Sequence, residues 1–146
     1  MFGEDSFERQ LRGHISETVA ADRIEMLGFR EDVSAVLDDA DVLVHASVIP
    51  EPFGQVVVEG MAAGLAVIAT DAGGPAEIIE NRRNGILVPP GEVGALATAL
   101  RELEANAELR TRLAAAGVER AKDFSPQSVA AQVRATYDAI QTRRRH

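Results

Sequence analysis

Two glutamates and a glycine are the residues in this chain whose types and spacing could do chemistry. Pro50-Glu51-Pro52-Phe53-Gly54 reads as a loop running into a helix, and Glu59 lies just over one turn inside that helix. The first amides of a helix have no intrahelical partner, and glycine lets a ligand come close to the backbone. The amides near Gly54, Gln55 and Val56 could therefore hold a phosphate or the edge of a hydroxyl-rich ring. A carboxylate accepts paired hydrogen bonds from a vicinal diol. Glu51 before the helix and Glu59 within it could grip two different sugar rings. The same glutamates also fit a surface loop and a solvated helix face, and on composition alone that plainer reading leads. Gly73-Gly74 is open in the same way: a tight turn, or a pair of anion-binding amides if it faces the same cleft. Glu77 is the acid expected near a helix start. His14 and His45 have no acid or nucleophile at a suggestive spacing; His14 reads as helix surface and His45 as packing or loop support.

The elements that must position these residues alternate between short apolar strands and helices. Phe7, Leu11, Ile15 and Val19 recur every four residues and predict a helix over 5–20, with Asp5 or Ser6 as its cap. Ile24–Leu27 predicts a strand ending at Gly28, 32–39 a short helix, and Asp41–His45 a more apolar strand. Val56-Val57-Val58 favours a strand by propensity. The stretch 55–63 is nevertheless read as a helix, because a new strand begins directly after it at Ala66–Thr70. Residues 76–80 predict one helical turn, and Ile86-Leu87-Val88 a fourth strand stopped by Pro89-Pro90-Gly91. Three helices follow, over about 92–104, 107–121 and from Ser125-Pro126, where proline suits the first helical position. The last carries the stripe Val129, Val133, Tyr137 and Ile140. This order predicts an α/β fold: a Rossmann-like parallel sheet with helices on both faces, right-handed crossovers, and ligands beyond the carboxyl ends of the strands. Loops are short, so 1–146 reads as one domain with a helical tail from about 92.

Composition removes several classes of function. With 146 residues there is room for one ordinary domain and not for two catalytic ones. No cysteine is present, which excludes a disulfide scaffold, thiol catalysis and thiolate metal sites. Fifteen basic against 23 acidic residues leave a net charge of −8, unsuited to a general grip on nucleic acid. No apolar run approaches the ~20 residues of a membrane span, and the first residues show no signal-peptide pattern. The Arg143-Arg144-Arg145-His146 tail reads as a solvated terminus.

Four stretches carry a family likeness: Asp41–Ser47; Pro50-Glu51-Pro52-Phe53-Gly54-Gln55-Val56-Val57-Val58-Glu59-Gly60-Met61-Ala62-Ala63-Gly64; Val67–Ile79 with Gly73-Gly74-Pro75; and Asn84–Gly91. Together they resemble the C-terminal domain of retaining GT-B glycosyltransferases. The group in view is the large family 4, with its sucrose synthases and bacterial mannosyltransferases. The likeness runs from about residue 2 to 141, and its specific part is a glutamate, seven residues and a second glutamate between Pro-Phe-Gly and Gly-Gly-Pro.

The resemblance implies two Rossmann-like domains with a cleft between them, the C-terminal one holding a nucleoside diphosphate sugar. Glu51 would face the donor-sugar hydroxyls as the catalytic-site glutamate. Phe53, Gly54, Gln55 and Val56 would meet sugar and diphosphate. Glu59 would bind the ribose, Gly28-Phe29-Arg30 would lie beside the base, and Gly73 and Gly74 would join the donor site. The intact protein would transfer a hexosyl group to an acceptor with retention, using no metal and no cofactor besides the donor. Two departures stand out. Ala66 replaces a frequent proline. The usual Gly-Arg loop and lysine that clamp the diphosphate have no match, nor does the acceptor domain with its histidine. Of a sheet order resembling 3-2-1-4-5-6, only strands 3 to 6 are read here, and the two missing strands would lie between Ile24–Leu27 and Asp41–His45. The expectation is therefore a fragment, inactive alone, that needs its N-terminal acceptor domain or a second chain. A homodimer, and a cytoplasmic setting at the membrane surface through the missing domain, complete it. The rivals are a non-catalytic nucleotide-sugar-binding half and a sugar-nucleotide 2-epimerase of the same architecture.

Overall fold

The computed structural model describes residues 4–143, and the side chains of 7–141. The readings of an Asp5 or Ser6 cap and of the Arg143–His146 tail fall outside the described side chains. The chain divides into two compact units, Met1–Asp32 and Val33–His146.

The first unit holds α1 (Glu4–Ser16) and a 3-10 turn at Ala21–Arg23. The helix stops short of the predicted residue 20. Ser16 Oγ donates to Gly13 O at 2.7 Å and Thr18 Oγ1 to Ile15 O at 3.0 Å. Such hydroxyl bonds compete with the helical ladder, and Val19 drops out of the stripe, fully exposed. The predicted strand at Ile24–Leu27 does not form. The segment leaves the 3-10 turn in an extended conformation at Ile24, but it joins no ladder among the described residues. A strand is stable only when its backbone groups are paired.

The second unit is a parallel sheet clothed in helices. α2 (Val33–Asp38) leads into β1 (Val42–His45), α3 (Gln55–Ala62), β2 (Ala66–Thr70), α4 (Gly74–Ile78) and β3 (Ile86–Val88). Then come α5 (Val93–Ala105), α6 (Ala107–Ala121), a 3-10 turn at Lys122–Phe124 and α7 (Pro126–Arg143). The order is β1-β2-β3, all parallel, with Val42 opposite Ala66 and Ile68 opposite Ile86. β2 is central and its five residues are all buried. Its side chains alternate between two cores, as strand pleating requires. Val67 and Ala69 pack with Val57 and Met61 of α3 and with Ile78 and Ile79. Ala66 and Ile68 pack with Ile86, Val88, Ala99, Leu103 and Leu113. The choice of helix over strand for Val56–Val58 is thus decided by tertiary context, since α3 is the crossover between two parallel strands.

Local signals place the later helices. Asn106 Oδ1 accepts from Leu109 N at 2.9 Å and caps α6. Ser125 Oγ accepts from Ser128 N at 3.2 Å before the Pro126 start of α7. The α7 stripe is exposed at Val129, Val133, Tyr137 and Ile140. At Ala66, where a proline was the familiar residue, the N–H donates to Asp41 O at 3.2 Å, a bond proline would forfeit.

Two outcomes check this architecture. Leu103 is wholly buried, so Leu103→Ala should cost about 2–5 kcal/mol in urea unfolding. The turn after α4 is tied to α5 by Arg82, whose Nη1 and Nη2 donate to the two Glu102 oxygens at 2.8 and 3.0 Å. The hydrogen bond from Arg82 holds the Glu102 carboxyl below its ordinary value. A depressed carboxyl stabilises above its unfolded value and loses that contribution as pH falls through the folded one. Glu102→Gln should therefore lower the thermal midpoint slightly at neutral pH, and the gap should close on acidification.

Candidate functional site

β1 and β2 are parallel neighbours, so the segments leaving their carboxyl ends emerge side by side. Thr70 Oγ1 donates to Ser47 O at 2.8 Å, and Ser47 Oγ donates to Ile49 O at 2.9 Å, which folds the loop after β1 back on itself. The loop then runs along the turn after β2. Glu51 and Gly73 form an isolated parallel bridge, and Gly74 N donates to Glu51 O at 2.7 Å. The approach leaves no room for side chains. A Cβ on Gly73 would stand 2.3 Å from Glu51 O, and one on Gly74 would stand 2.6 Å from Phe53 C. Gly73 also has a φ of 61°, a region that favours glycine.

Gly54 begins α3 with a φ of 67°, packed so that a Cβ would meet Ile78 Cδ1 at 2.8 Å. The helix's first bond runs from Val57 N to Gly54 O at 3.0 Å. The amides of Gln55 and Val56 precede it and are not used by the helix. Gln55 and Glu59 are exposed one turn apart on one face of α3, and Phe53 is 78% exposed beside them in sequence.

Glu51 does not hang free. His45, the last residue of β1, places Nε2 2.8 Å from Glu51 Oε2. The two side chains are 11% and 32% exposed. His45, which its sequence spacing leaves without an acid partner, has one in Glu51, because the five residues 46–50 return the chain to the strand end. The signal available was a histidine closing a strand just ahead of a short acid-bearing loop.

The second unit thus brings together Glu51, Phe53, Gly54, Gln55, Val56, Gly73 and Gly74, with Glu59 one turn into α3. Within the Gly73-Gly74 pair, the Gly74 N–H is committed to Glu51 O. Gly28, Phe29 and Arg30 belong to the first unit, where Gly28 has a φ of 65° and Phe29 is 90% exposed. Among the described residues no group of three His, Asp or Glu is placed to hold a metal ion. No described helix is long and apolar enough to cross a membrane. Chemically, two carboxylates and a helix start suit a molecule with hydroxyls at both ends and a polar or anionic middle.

This fold and these loops define a family. The chain belongs to the group 1 glycosyl transferases, whose family model matches residues 1–120. It is 36% identical over 137 residues to a phosphatidyl-myo-inositol mannosyltransferase of Mycobacterium leprae, covering 92% of this chain and 36% of that protein. It is similar to HepE of Anabaena, crystallised with UDP, at a TM-score of 0.89 and 31% identity over 95% of this chain and 38% of HepE. HepE has also been crystallised with UDP-glucose. The C-terminal domain of LpcC, a group 1 protein of Francisella tularensis, matches at a TM-score of 0.69 and 30% identity, over 80% of this chain and 60% of that one. The fold is the Rossmann-like α/β fold of GT-B glycosyltransferases, and the chain spans little more than a third of the mannosyltransferase and of HepE.

The contact between loop and turn is testable by one methyl group. Gly74→Ala places a carbon against the Phe53 and Gly54 backbone, and it should destabilise by about 1–3 kcal/mol. Urea unfolding measures this; an unchanged midpoint would mean that loop and turn do not abut.

Proposed function

We propose that this chain supplies the donor-binding part of a family 4 glycosyltransferase that moves a hexosyl group from a nucleoside diphosphate sugar to an acceptor with retention. The observation that carries the reading is Glu51 seated against the 73–74 turn just ahead of α3, whose first amides the helix does not use, with Glu59 one turn further on. In this reading Glu51 faces the sugar hydroxyls and Glu59 the ribose, each accepting charge-assisted hydrogen bonds. The amides at Gly54, Gln55 and Val56 meet the diphosphate, with Phe53, Gly73 and Gly74 lining the same site. The HepE complexes with UDP and UDP-glucose support a donor of this class.

Retention would follow a front-face course. The bond from the anomeric carbon to the diphosphate oxygen breaks, the acceptor oxygen bonds to that carbon on the same face, and a leaving-phosphate oxygen takes the acceptor's proton. Negative charge grows on the diphosphate, and helix amides aimed there stabilise it. The reading uses no metal and no further cofactor. Acceptor binding is assigned to an N-terminal domain or a second chain, so this stretch alone binds donor and transfers nothing. Cytoplasmic work at a membrane surface, and pairing of two copies, belong to the same proposal.

Titration with UDP and GDP tests it, with backbone amides followed by NMR. Shifts should centre on Gly54–Val56. Glu59→Gln should weaken binding about tenfold, the equivalent of ~1.4 kcal/mol. Unchanged affinity in that variant would remove the ribose role.

A further inference from the structure

We infer that His45 is a positioning residue: it fixes the rotamer of Glu51, so that the carboxylate is presented to the donor sugar and not to the nucleotide. The inference rests on the donor-site reading above.

Glu51 is held at two points. Its backbone is tied to the 73–74 turn through Gly74 N and the bridge to Gly73. Its head is tied by His45 Nε2, 2.8 Å from Oε2. The side chain between them has three rotatable bonds, and fixing such a chain costs rotamer entropy that a ligand would otherwise bear. His45 is a rigid anchor for this purpose. It is the last residue of β1, in register with Ala69 of the buried central strand, and its side chain is only 11% exposed.

The ring's other nitrogen sets the direction of the bond. His45 Nδ1 is buried with no hydrogen-bond partner among the described residues. A proton there would be a buried donor without an acceptor. With the proton on Nε2, the ring donates to Glu51 Oε2 and only a lone pair is left at Nδ1. Oε1 and the unused lone pairs of Oε2 then remain for hydroxyl groups, on a side chain still 32% exposed.

A residue that acts through Glu51 should matter for the sugar and not for the nucleoside diphosphate. The test uses the protein at its natural length, with calorimetric titration of UDP-glucose against UDP and of GDP-mannose against GDP. His45→Leu should weaken the nucleotide sugar at least fivefold and the matching diphosphate less than twofold. His45→Gln, whose amide N–H reaches about as far as Nε2, should restore sugar-nucleotide affinity to within twofold. His45→Asn, too short to reach, should behave like the leucine variant. Nitrogen NMR of the wild-type ring should show the proton on Nε2, and this reading stands even where a variant fails to fold.

Equal losses for sugar nucleotide and diphosphate would make His45 merely structural and overturn the inference. So would no loss for either, or a ring protonated on Nδ1 alone. Wild-type protein that binds neither pair would reject the donor-site reading, and this inference with it. Wild-type binding that His45→Leu leaves intact would reject the inference alone.

Discussion

The second unit is organised around one contact at the carboxyl end of its sheet: the backbone of Glu51–Gly54 lying on the backbone of Gly73-Gly74. A 2.7 Å hydrogen bond closes it, and the space is too narrow for a Cβ on either glycine. The contact follows from β1 and β2 being parallel neighbours, since both chains then leave the sheet side by side at the same end. Parallel neighbours in turn require a crossover, and α3 supplies it. The crossover packs because Val57 and Met61 are buried against Val67 and Ala69. Strand order, helix packing and loop geometry are thus successive consequences of bringing two backbones together.

On the donor-site reading proposed above, the contact also reconciles two opposed electrostatic demands. A diphosphate is anionic, yet the carboxylates suited to sugar diols are anionic too, in a chain already at −8. Separating these functions resolves the conflict. Amides at the start of α3 offer positive dipole ends, while Glu51 and Glu59 lie ahead of those amides and a turn beyond them. Seating Glu51 on the 73–74 turn fixes its backbone, and the contact with His45 gives Oε2 a partner inside the protein.

Much of this was legible in the sequence, and the failures have a common physical origin. The central strand announced itself as Ala66–Thr70, an apolar run too short for a helix. Its directness after 55–63 settled α3 against the β propensity of three successive valines. The Ser125-Pro126 start of α7 was readable from local chemistry alone. Ile24–Leu27 misled because a strand is not a property of a segment: its composition fits, but no ladder takes it up. The end of α1 was overrun because serine and threonine hydroxyls turned back onto carbonyls that the apolar spacing ignored. The pairing of His45 with Glu51 is not visible in their spacing, since the loop between them is bent by the bond from Thr70 Oγ1 to Ser47 O, 23 residues apart in sequence.

The residues of the candidate site therefore divide by what a substitution disturbs. At Gly54 and Gly73 the constraint is on volume and backbone angle and at Gly74 on volume, so any side chain there is felt first as lost packing. Glu59 is exposed on α3, so changing its head group removes no buried contact. Glu51 belongs to both classes. Its carbonyl holds the turn and its carboxylate meets His45, so its side chain can be changed without removing the backbone contact that shapes the loop. Backbone and side chain thus hold different contacts in one residue, and for that reason altering the Glu51 head group tests its proposed role in recognition apart from folding more cleanly than altering any glycine around it.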